Sequence, residues 1–242
     1  MKIYLSCTAN LGDFSNGLPI VSGIVNSYGK VDFVIRSEMR KFSGIKEFLL
    51  YQDLFTDVNF DDEVMIYGQY INLSSWTRED KNDPNRPIET CRYENWIKDN
   101  YNLDFKVDDS FTIKVKDLDI DCFSDKTIIG DRWSQKQDPN VDMRRFTNVV
   151  ENGAKPDPSK VVYLDYSKDL MHNCYIIKNN PNKFVTTFTG IGIVADLMNK
   201  ETVVCWDEDM RVWDGRSVEF DFERHYYLDR KSKLVHVKEL EI

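Results

Sequence analysis

The sequence alternates between short runs of β-branched and apolar residues and longer amphipathic stretches along most of its length. This alternation predicts strands followed by helices, which pair into parallel sheets through crossover connections. The strands are predicted at residues 2–7, 31–36, 58–60, 64–71, 111–115, 127–131, 160–166, 183–188 and 202–206. The helices are predicted at residues 19–28, 42–54, 91–100, 141–151, in a stretch ending near 177, and at 193–199. The predicted fold class is therefore α/β.

The β-α rhythm breaks after residue 71 and restarts from residue 126, which divides the chain into two halves. The acidic segment at 117–121 (DLDID) is the candidate linker. We expect two Rossmann-like domains, residues 1–122 and 123–242, that face a cleft. Ligands of such sheets bind outside the carboxyl ends of the strands, so a site is expected in that cleft. The tail at 226–240 is expected to be a charged hairpin, with a final helix as the alternative.

Charge, cysteines and hydropathy exclude several classes of protein. A net charge of −9 argues against a protein whose whole surface binds nucleic acid or an anionic membrane. The 5 cysteines are scattered and never form Cys-x-x-Cys, which argues against a disulfide framework and a zinc site. The sequence contains no apolar run of about 18 residues and does not start with a secretory pattern, so we expect a cytoplasmic protein without a transmembrane segment.

A glycine turn at residues 189–195 (TGIGIVA) follows one predicted strand and opens a helix. Its pattern matches G-x-G-x-x-A, in which glycines let the backbone approach a phosphate and the helix N-terminus attracts the anion. Acidic residues from Asp207 follow the next strand, where a dinucleotide fold places its ribose ligand. Only 33 residues follow Asp209, however, which is too few for the later units of a dinucleotide domain. A tight turn without any ligand is the other alternative.

The first predicted strand leads into Asn10-Leu11-Gly12-Asp13-Phe14, with Leu18-Pro19 a few residues later. This strand, G-D pair, spacer and L-P resemble the start of the heptosyltransferase group of GT-B glycosyltransferases, glycosyltransferase family 9. The segment TFTGIGIVADLMNKETVVCW resembles their second half, where a T-G turn precedes a helix and a strand. The resemblance covers about residues 1–60 and 126–206. The family usually has an aspartate before its T-G pair, whereas this chain has Phe188.

The resemblance implies a compact GT-B-like enzyme that moves a sugar from a nucleotide-sugar donor to an acceptor hydroxyl. It implies that the N-terminal domain lies on the acceptor side and that the C-terminal domain binds the donor. Asp13 would be the general base, in an inverting reaction that needs no metal and no cofactor. Capping of the following helix is the alternative role for Asp13. The implied donor-binding residues are Arg132, Lys136, Thr189, Gly190 and Gly192.

The acceptor is expected to bind near the first loop and the polar segment at 74–98, where aromatic rings can stack on sugars and arginines can pair with phosphates. An ordinary solvated loop is the alternative. The candidate acceptor-binding residues are Asn10, Trp76, Arg78, Arg86, Arg92 and Tyr93. A saccharide, a lipid-linked sugar and a hydroxylated DNA base all remain open as acceptor, and the sequence does not indicate an oligomeric state.

Two other signals are weaker. Asp207-Glu208-Asp209 matches the D-x-D metal motif of GT-A enzymes, but too little chain follows it, so we predict a solvated acidic turn and no metal site. His172, His225 and His236 are too scattered to form a ligand set and are interpreted as structural. The alternatives to a glycosyltransferase are a NAD-type oxidoreductase that uses the turn at 190–195 and a nucleotide-binding protein without catalysis.

Overall fold

The structure, a computed structural model, describes residues 3–7, 11–65, 69–72, 85–130, 149–207 and 217–242. The strands in this part of the chain are β1 (Ile3–Cys7), β2 (Val31–Ile35), β3 (Phe55–Phe60), β4 (Gln69–Asn72), β5 (Thr127–Gly130), β6 (Val161–Tyr163), β7 (Phe184–Thr186), β8 (Thr202–Trp206) and β9 (Ser232–His236). The helices are α1 (Leu11–Tyr28), α2 (Ile45–Tyr51), α3 (Ile88–Tyr101), α4 (Val149–Gly153), α5 (Leu170–Asn179), α6 (Gly190–Leu197) and α7 (Val218–His225), and short 3-10 helices cover Ser37–Lys41 and Val237–Glu239.

The strands form two separate sheets. The first has the order β3-β2-β1-β4 and the second the order β6-β5-β7-β8-β9. All neighbouring strands in both sheets run parallel. We call the first sheet with α1, α2 and α3 the first unit, and the second sheet with α4 to α7 the second unit. The α/β class and the parallel pairing predicted from the sequence are therefore confirmed.

The central strands β2, β5, β7 and β8 are mostly buried, as expected for parallel sheets covered by helices. In β2, four of the five side chains are buried, and all three residues of β7 are buried. A run such as VDFVI therefore lacks the strict alternation of a half-exposed strand and still forms one. Phe33 of β2 packs between Phe14 of α1 and Phe55 of β3, with ring centroids 5.6 and 4.7 Å apart.

Helix α1 begins eight residues before the predicted start at residue 19, which places Pro19 inside the helix. An interior proline removes one helical hydrogen bond at a cost of about 3 kcal/mol. The burial of the neighbouring Leu18 and Ile20, both at 0% exposure, offsets this cost. The Pro19 carbonyl also accepts a hydrogen bond from the Asp108 N–H, 3.1 Å away. The prediction of a later start was wrong because tertiary packing outweighs the helix-breaking tendency of glycine and proline.

Residues 111–115 form no strand, contrary to the prediction, because their backbone groups bond to both units instead of to a sheet neighbour. The N–H of Ile113 donates to the Leu197 carbonyl of the second unit, 3.0 Å away. The N–H of Lys114 donates to Gln52 Oε1 of the first unit, 2.8 Å away. This extended segment straps the two units together.

The predicted hairpin at 226–240 is also wrong. Strand β9 pairs parallel with β8, from Thr202 opposite Ser232 to Trp206 opposite His236. Helix α7 precedes β9 and makes the crossover. The sequence therefore contains one more β-α-β unit than its charged tail suggests. Helix α7 of this unit packs on α3 and α1 of the first unit.

The apolar core is continuous across both units. Leu11 and Phe14 of α1 belong to the same buried cluster as Ile191, Val194 and Ala195 of α6. Side chains of the strap, such as Ile113, belong to it as well. The contact between the units is therefore apolar and closely packed, like a protein interior, and not a hydrated polar interface between two domains.

Candidate functional site

Helix α6 begins at the carboxyl edge of the second sheet and is capped by Thr189. The Thr189 Oγ1 accepts a hydrogen bond from the Gly192 N–H at 3.3 Å and lies 2.9 Å from the Thr186 Oγ1. The Thr186 hydroxyl in turn donates to the Gly130 carbonyl at the end of β5, 3.0 Å away. This chain of hydroxyls fixes the start of α6 to the ends of two neighbouring strands. The predicted donor-binding residue Thr189 is thus an N-cap whose hydroxyl is engaged within the protein.

The starts of α1 and α6 touch through two glycines, Gly12 and Gly190, a contact we call the glycine crossing. A methyl group added at Gly190 would lie 2.8 Å from the Gly12 N and 2.9 Å from the Leu11 Cβ. A methyl group added at Gly12 would lie 2.7 Å from the Ile193 Cδ1 and 3.4 Å from the Gly190 Cα. Glycine is required at position 190, because a side chain there would meet the backbone of α1, whereas a methyl group at Gly12 would meet mainly the end of the Ile193 side chain.

Gly192 is explained by a different contact, with Tyr226. A methyl group at Gly192 would lie 2.5 Å from the Tyr226 Oη and 2.9 Å from the Thr186 Cγ2. Tyr226 is fully buried and stacks on Phe222 of α7, with ring centroids 4.8 Å apart. Burial, together with the nearby Asp196 carboxylate, raises the pKa of Tyr226. Both glycines of the G-x-G turn are therefore needed for packing within the protein, and their presence alone does not indicate a phosphate site.

Asp13 is the third residue of α1, directly after the glycine crossing. Its side chain lies outside the described part of the structure. Gly12 and Asn16 are four residues apart, so they lie on the same face of α1, and both contact the second unit. Asp13 is three residues before Asn16 and therefore lies beside that face. The backbone position of Asp13 therefore borders the face of α1 that contacts the second unit.

A polar clasp of Asn16, Glu89, Arg92, Arg224 and His225 joins α7 to α1 and α3. The Asn16 Nδ2 donates to the His225 Nδ1, 3.2 Å away. The Glu89 carboxylate accepts from Arg224 of the second unit and from Arg92 of its own helix, the latter at 3.3 Å. Glu89 is 3% exposed, so this ion pair is largely shielded from water.

The environment of His225 keeps its ring neutral. Burial, and then the positive charges of Arg224 and Arg92, lower the pKa of His225 to about 3. A neutral imidazole has one nitrogen that accepts hydrogen bonds, and here Nδ1 accepts from Asn16. The clasp therefore contains a histidine that stays uncharged throughout the neutral and mildly acidic range.

Of the other predicted site residues, Arg92 is the acceptor-side candidate that the structure brings to the clasp. Arg86 pairs with Glu94 at 3.0 Å and Asp109 at 2.6 Å. Tyr93 is 6% exposed and belongs to the core. Asn10, Trp76, Arg78, Arg132 and Lys136 lie outside the described residues.

The sequence analysis did not find Asn16, Glu89 or Arg224, and it interpreted His225 as structural. No motif marks these residues, because the clasp depends on α7 reaching α3 across 135 positions of sequence. The missing information was α7 itself, because the sequence analysis predicted no helix at residues 218–225. Asn16 carried a weak signal of its own as a polar residue within the apolar stripe of α1.

Among the described residues, no group of three or more histidine, cysteine, aspartate or glutamate side chains could hold a metal ion. Asp207 lies in the described part, whereas residues 208 and 209 of the acidic turn do not. In the same described ranges, no helix is both long and apolar enough to span a membrane.

No protein-family model and no curated protein sequence matches the chain. Its fold is similar to that of E. coli ADP-heptose lipopolysaccharide heptosyltransferase II, with a TM-score of 0.57 and 11% identity over 97% of this chain and 90% of that one. This chain has a heptosyltransferase-like fold. A family 9 glycosyltransferase from Veillonella parvula has a TM-score of 0.48 and 10% identity over 97% of this chain and 86% of that one. E. coli heptosyltransferase WaaC with ADP has a TM-score of 0.48 and 8% identity over 98% of this chain and 93% of that one.

The heptosyltransferase-like fold agrees with the GT-B-like architecture that the sequence predicted. The similarity extends over nearly the whole chain, including residues 61–125, to which the motifs gave no match. The architecture therefore does not depend on the two short motif segments alone.

Proposed function

We propose that the protein is a glycosyltransferase that moves a sugar from a nucleotide-sugar donor to an acceptor hydroxyl. The observation that carries this proposal is the glycine crossing. Its two glycines belong to the two sequence motifs that resemble heptosyltransferases, and these motifs lie in different units of the molecule. Their contact gives the turn that carries Asp13 and the turn that starts α6 a common location at the carboxyl edges of both sheets.

In the proposed reaction, Asp13 is the general base. Its carboxylate takes the proton of the acceptor hydroxyl while that oxygen forms a bond to the anomeric carbon of the sugar. The bond from the anomeric carbon to the diphosphate oxygen breaks, and the nucleoside diphosphate leaves with the electron pair. Attack from the face opposite the leaving group inverts the anomeric configuration.

The leaving diphosphate acquires negative charge. We assign the stabilisation of this charge to the start of α6 and to the cations of the loop after β5. Helix N-termini stabilise anions through free N–H groups and the helix dipole. Arg132 and Lys136 are the proposed cations, and we propose that no metal ion or other cofactor is needed. Thr189 then acts by shaping the turn, since its hydroxyl is already engaged with Gly192 and Thr186.

The contacts of the glycine turn favour a nucleotide sugar over a dinucleotide. A dinucleotide fingerprint uses its second glycine to let the backbone approach the pyrophosphate. Here the Tyr226 hydroxyl occupies the space beside Gly192, and α1 covers Gly190. We therefore place the diphosphate at the first turn of α6, on the side that neither Tyr226 nor α1 covers.

Binding of the leaving group tests the donor assignment. The melting temperature should rise with one of ADP, UDP, GDP or CMP in EDTA, because a ligand at about 100 times its dissociation constant stabilises by about 3 kcal/mol. ADP is the first probe, since the structurally similar heptosyltransferase II is named for ADP-heptose. Stabilisation by NAD alone would favour the oxidoreductase, and no shift with any of them would favour a scaffold. A shift that needs magnesium would contradict metal independence.

Asp13→Asn tests the general base. With ADP-heptose and a pool of saccharide, lipid-linked sugar and hydroxymethylated DNA acceptors, release of ADP should fall by a factor of about 10² to 10⁴. ADP binding and the melting temperature should stay close to those of the parent protein. Asp53→Asn, which changes an exposed carboxylate paired with Lys30, is the matched control and should retain the full rate. An unchanged rate for Asp13→Asn would exclude this mechanism.

A further inference from the structure

In the polar clasp, Asn16 near the start of α1 donates a hydrogen bond to His225. Gly12 has no side chain and therefore cannot fix the first turn of α1 by a directional contact. Asn16 lies one turn further along the same face of the helix and is 0% exposed. Its amide makes a cross-unit hydrogen bond of the kind that the glycine crossing cannot provide.

Asn16 is held from two directions. Its side chain donates to His225 of the second unit, and its backbone carbonyl accepts from the Thr90 hydroxyl of α3 at 3.0 Å. A carbonyl that accepts a bond from another helix fixes the rotation of α1 about its axis as well as its position. The two hydrogen bonds therefore fix the position and the rotation of the first two turns of α1.

With the Asn16 Nδ2 toward the ring, the pair needs an unprotonated Nδ1 on the histidine. A protonated ring would present an N–H at Nδ1 to the N–H of the Asn16 amide, and two donors cannot bond each other. Burial, and then the positive charges of Arg224 and Arg92, lower the pKa of His225 and disfavour a charged imidazole, so the acceptor at Nδ1 is preserved.

The Asn16 amide has Nδ2 toward His225, and its Oδ1 is a buried acceptor without a hydrogen-bond partner among the described residues. In the opposite orientation the amide oxygen would accept from a proton on His225 Nδ1, so a hydrogen bond joins the two side chains in either orientation.

We propose that Asn16 and His225 form a positioning pair that sets the first turn of α1, and with it Asp13, against the second unit. The role of Asp13 in this inference rests on the proposed function. That the pair holds the start of α1 in place rests on the geometry alone. Neither residue touches the reacting atoms. A purely structural pair would change the overall stability of the protein, whereas a positioning pair changes the start of α1 and the catalytic rate together.

The experiment compares His225→Asn with His225→Gln and His225→Leu. Asparagine places a polar atom where Nδ1 lies, glutamine moves its polar end out toward the position of Nε2, and leucine has none. Amide hydrogen exchange of the peptide covering residues 11–18, followed by mass spectrometry, should be about tenfold faster in His225→Leu and His225→Gln and close to the parent rate in His225→Asn.

Kinetics with ADP-heptose should show the same ranking. For the leucine and glutamine variants we expect kcat to fall about 10- to 100-fold, because a misplacement of about 1 Å has effects of that size, with KM within about twofold of the parent value. Asn16→Ala combined with His225→Leu should be no worse than the more damaging single variant, since the two residues act through one bond.

Asn180→Ala is the control. It removes a buried amide that bonds the carbonyls of Cys122, Phe123 and Lys126 at the amino end of β5, the edge opposite the proposed site. It should lower the melting temperature without changing exchange in residues 11–18 or kcat. Unchanged exchange at 11–18 in His225→Gln, or additive effects in the double variant, would overturn the positioning pair. Absence of ADP release by the parent protein would instead overturn the proposed function and leave the exchange test intact.

Discussion

The glycine crossing and the polar clasp both join α1 to the second unit, but they do so by opposite means. The crossing depends on the absence of side chains at Gly12 and Gly190, so that backbone meets backbone. The clasp depends on the presence of charged and polar groups, with Glu89 between two guanidinium groups. The crossing sets how near the helices come, and the clasp sets how they are oriented. One contact is therefore sensitive to added volume and the other to lost charge.

The largest effect is expected from Glu89→Gln, which removes the buried carboxylate that pairs with both Arg92 and Arg224. Breaking a buried ion pair from one side costs about 3 kcal/mol or more. The free energy of unfolding in urea measures the loss. Asp53→Asn is the matched control, because its ion pair with Lys30 is exposed and should matter least. Equal losses in the two variants would contradict the distinction between the buried clasp and an ordinary surface pair.

A smaller and asymmetric effect is expected at the crossing. Gly190→Ala should destabilise by about 2 kcal/mol, because its methyl group meets the Gly12 backbone and the Leu11 Cβ. Gly12→Ala should cost less, since its methyl group meets the terminal Cδ1 of Ile193, which can rotate away. Alanine also favours a helix over glycine by up to about 1 kcal/mol. Urea midpoints of both variants give the comparison, and a larger loss for Gly12→Ala would show that Ile193 cannot move.

The smallest effect is a pH dependence with opposite signs in the two regions. Burial raises the pKa of Asp196, on α6, from 3.8 to about 6, so its contribution to stability is complete below about pH 4 and is lost as the pH rises through 6. Burial and two arginines lower the pKa of His225 from 6.5 to about 3, so its contribution is complete above about pH 6.5 and is lost as the pH falls toward 3.

The two contributions oppose each other between pH 4 and 6, and single variants should separate them. Relative to the parent protein, the unfolding free energy of Asp196→Asn should increase with pH across this range, and that of His225→Asn should decrease. Each slope should approach about 1 kcal/mol per pH unit. Urea unfolding at pH 4.5, 5.5 and 6.5 measures both slopes. Parallel profiles for the two variants would show that one of these groups titrates normally.

The alternation of strands and helices was enough to predict the class, the parallel pairing and most of the elements. It failed where long-range contacts outweigh local preference. Pro19 lies inside a helix because its neighbours are buried, and residues 111–115 leave the sheet because both units compete for their backbone groups. The prediction for the tail failed for another reason. The charged residues of β9 hid a strand, which lies at the edge of the second sheet and pairs there with β8 alone.

The site was less predictable than the fold. Local motifs located the turns at Gly12 and Gly190, because a glycine between a strand and a helix is visible in sequence. The reason for these two glycines was not visible, since each of them contacts the other unit. The clasp left almost no local trace, because ion pairs such as Glu89 with Arg224 have no spacing rule when the helices meet only in the folded chain.

The continuous core has a consequence for how such a protein can be recombined. Enzymes built from two similar halves invite the construction of chimaeras, in which one half is exchanged for that of a relative. Here the surface that receives the second unit consists of the start of α1, part of α3 and the strap around Ile113. A successful exchange would have to carry these pieces along with the second sheet. The interchangeable part of the molecule is therefore discontinuous in sequence, and a single crossover point between the two sheets would divide one hydrophobic core in two.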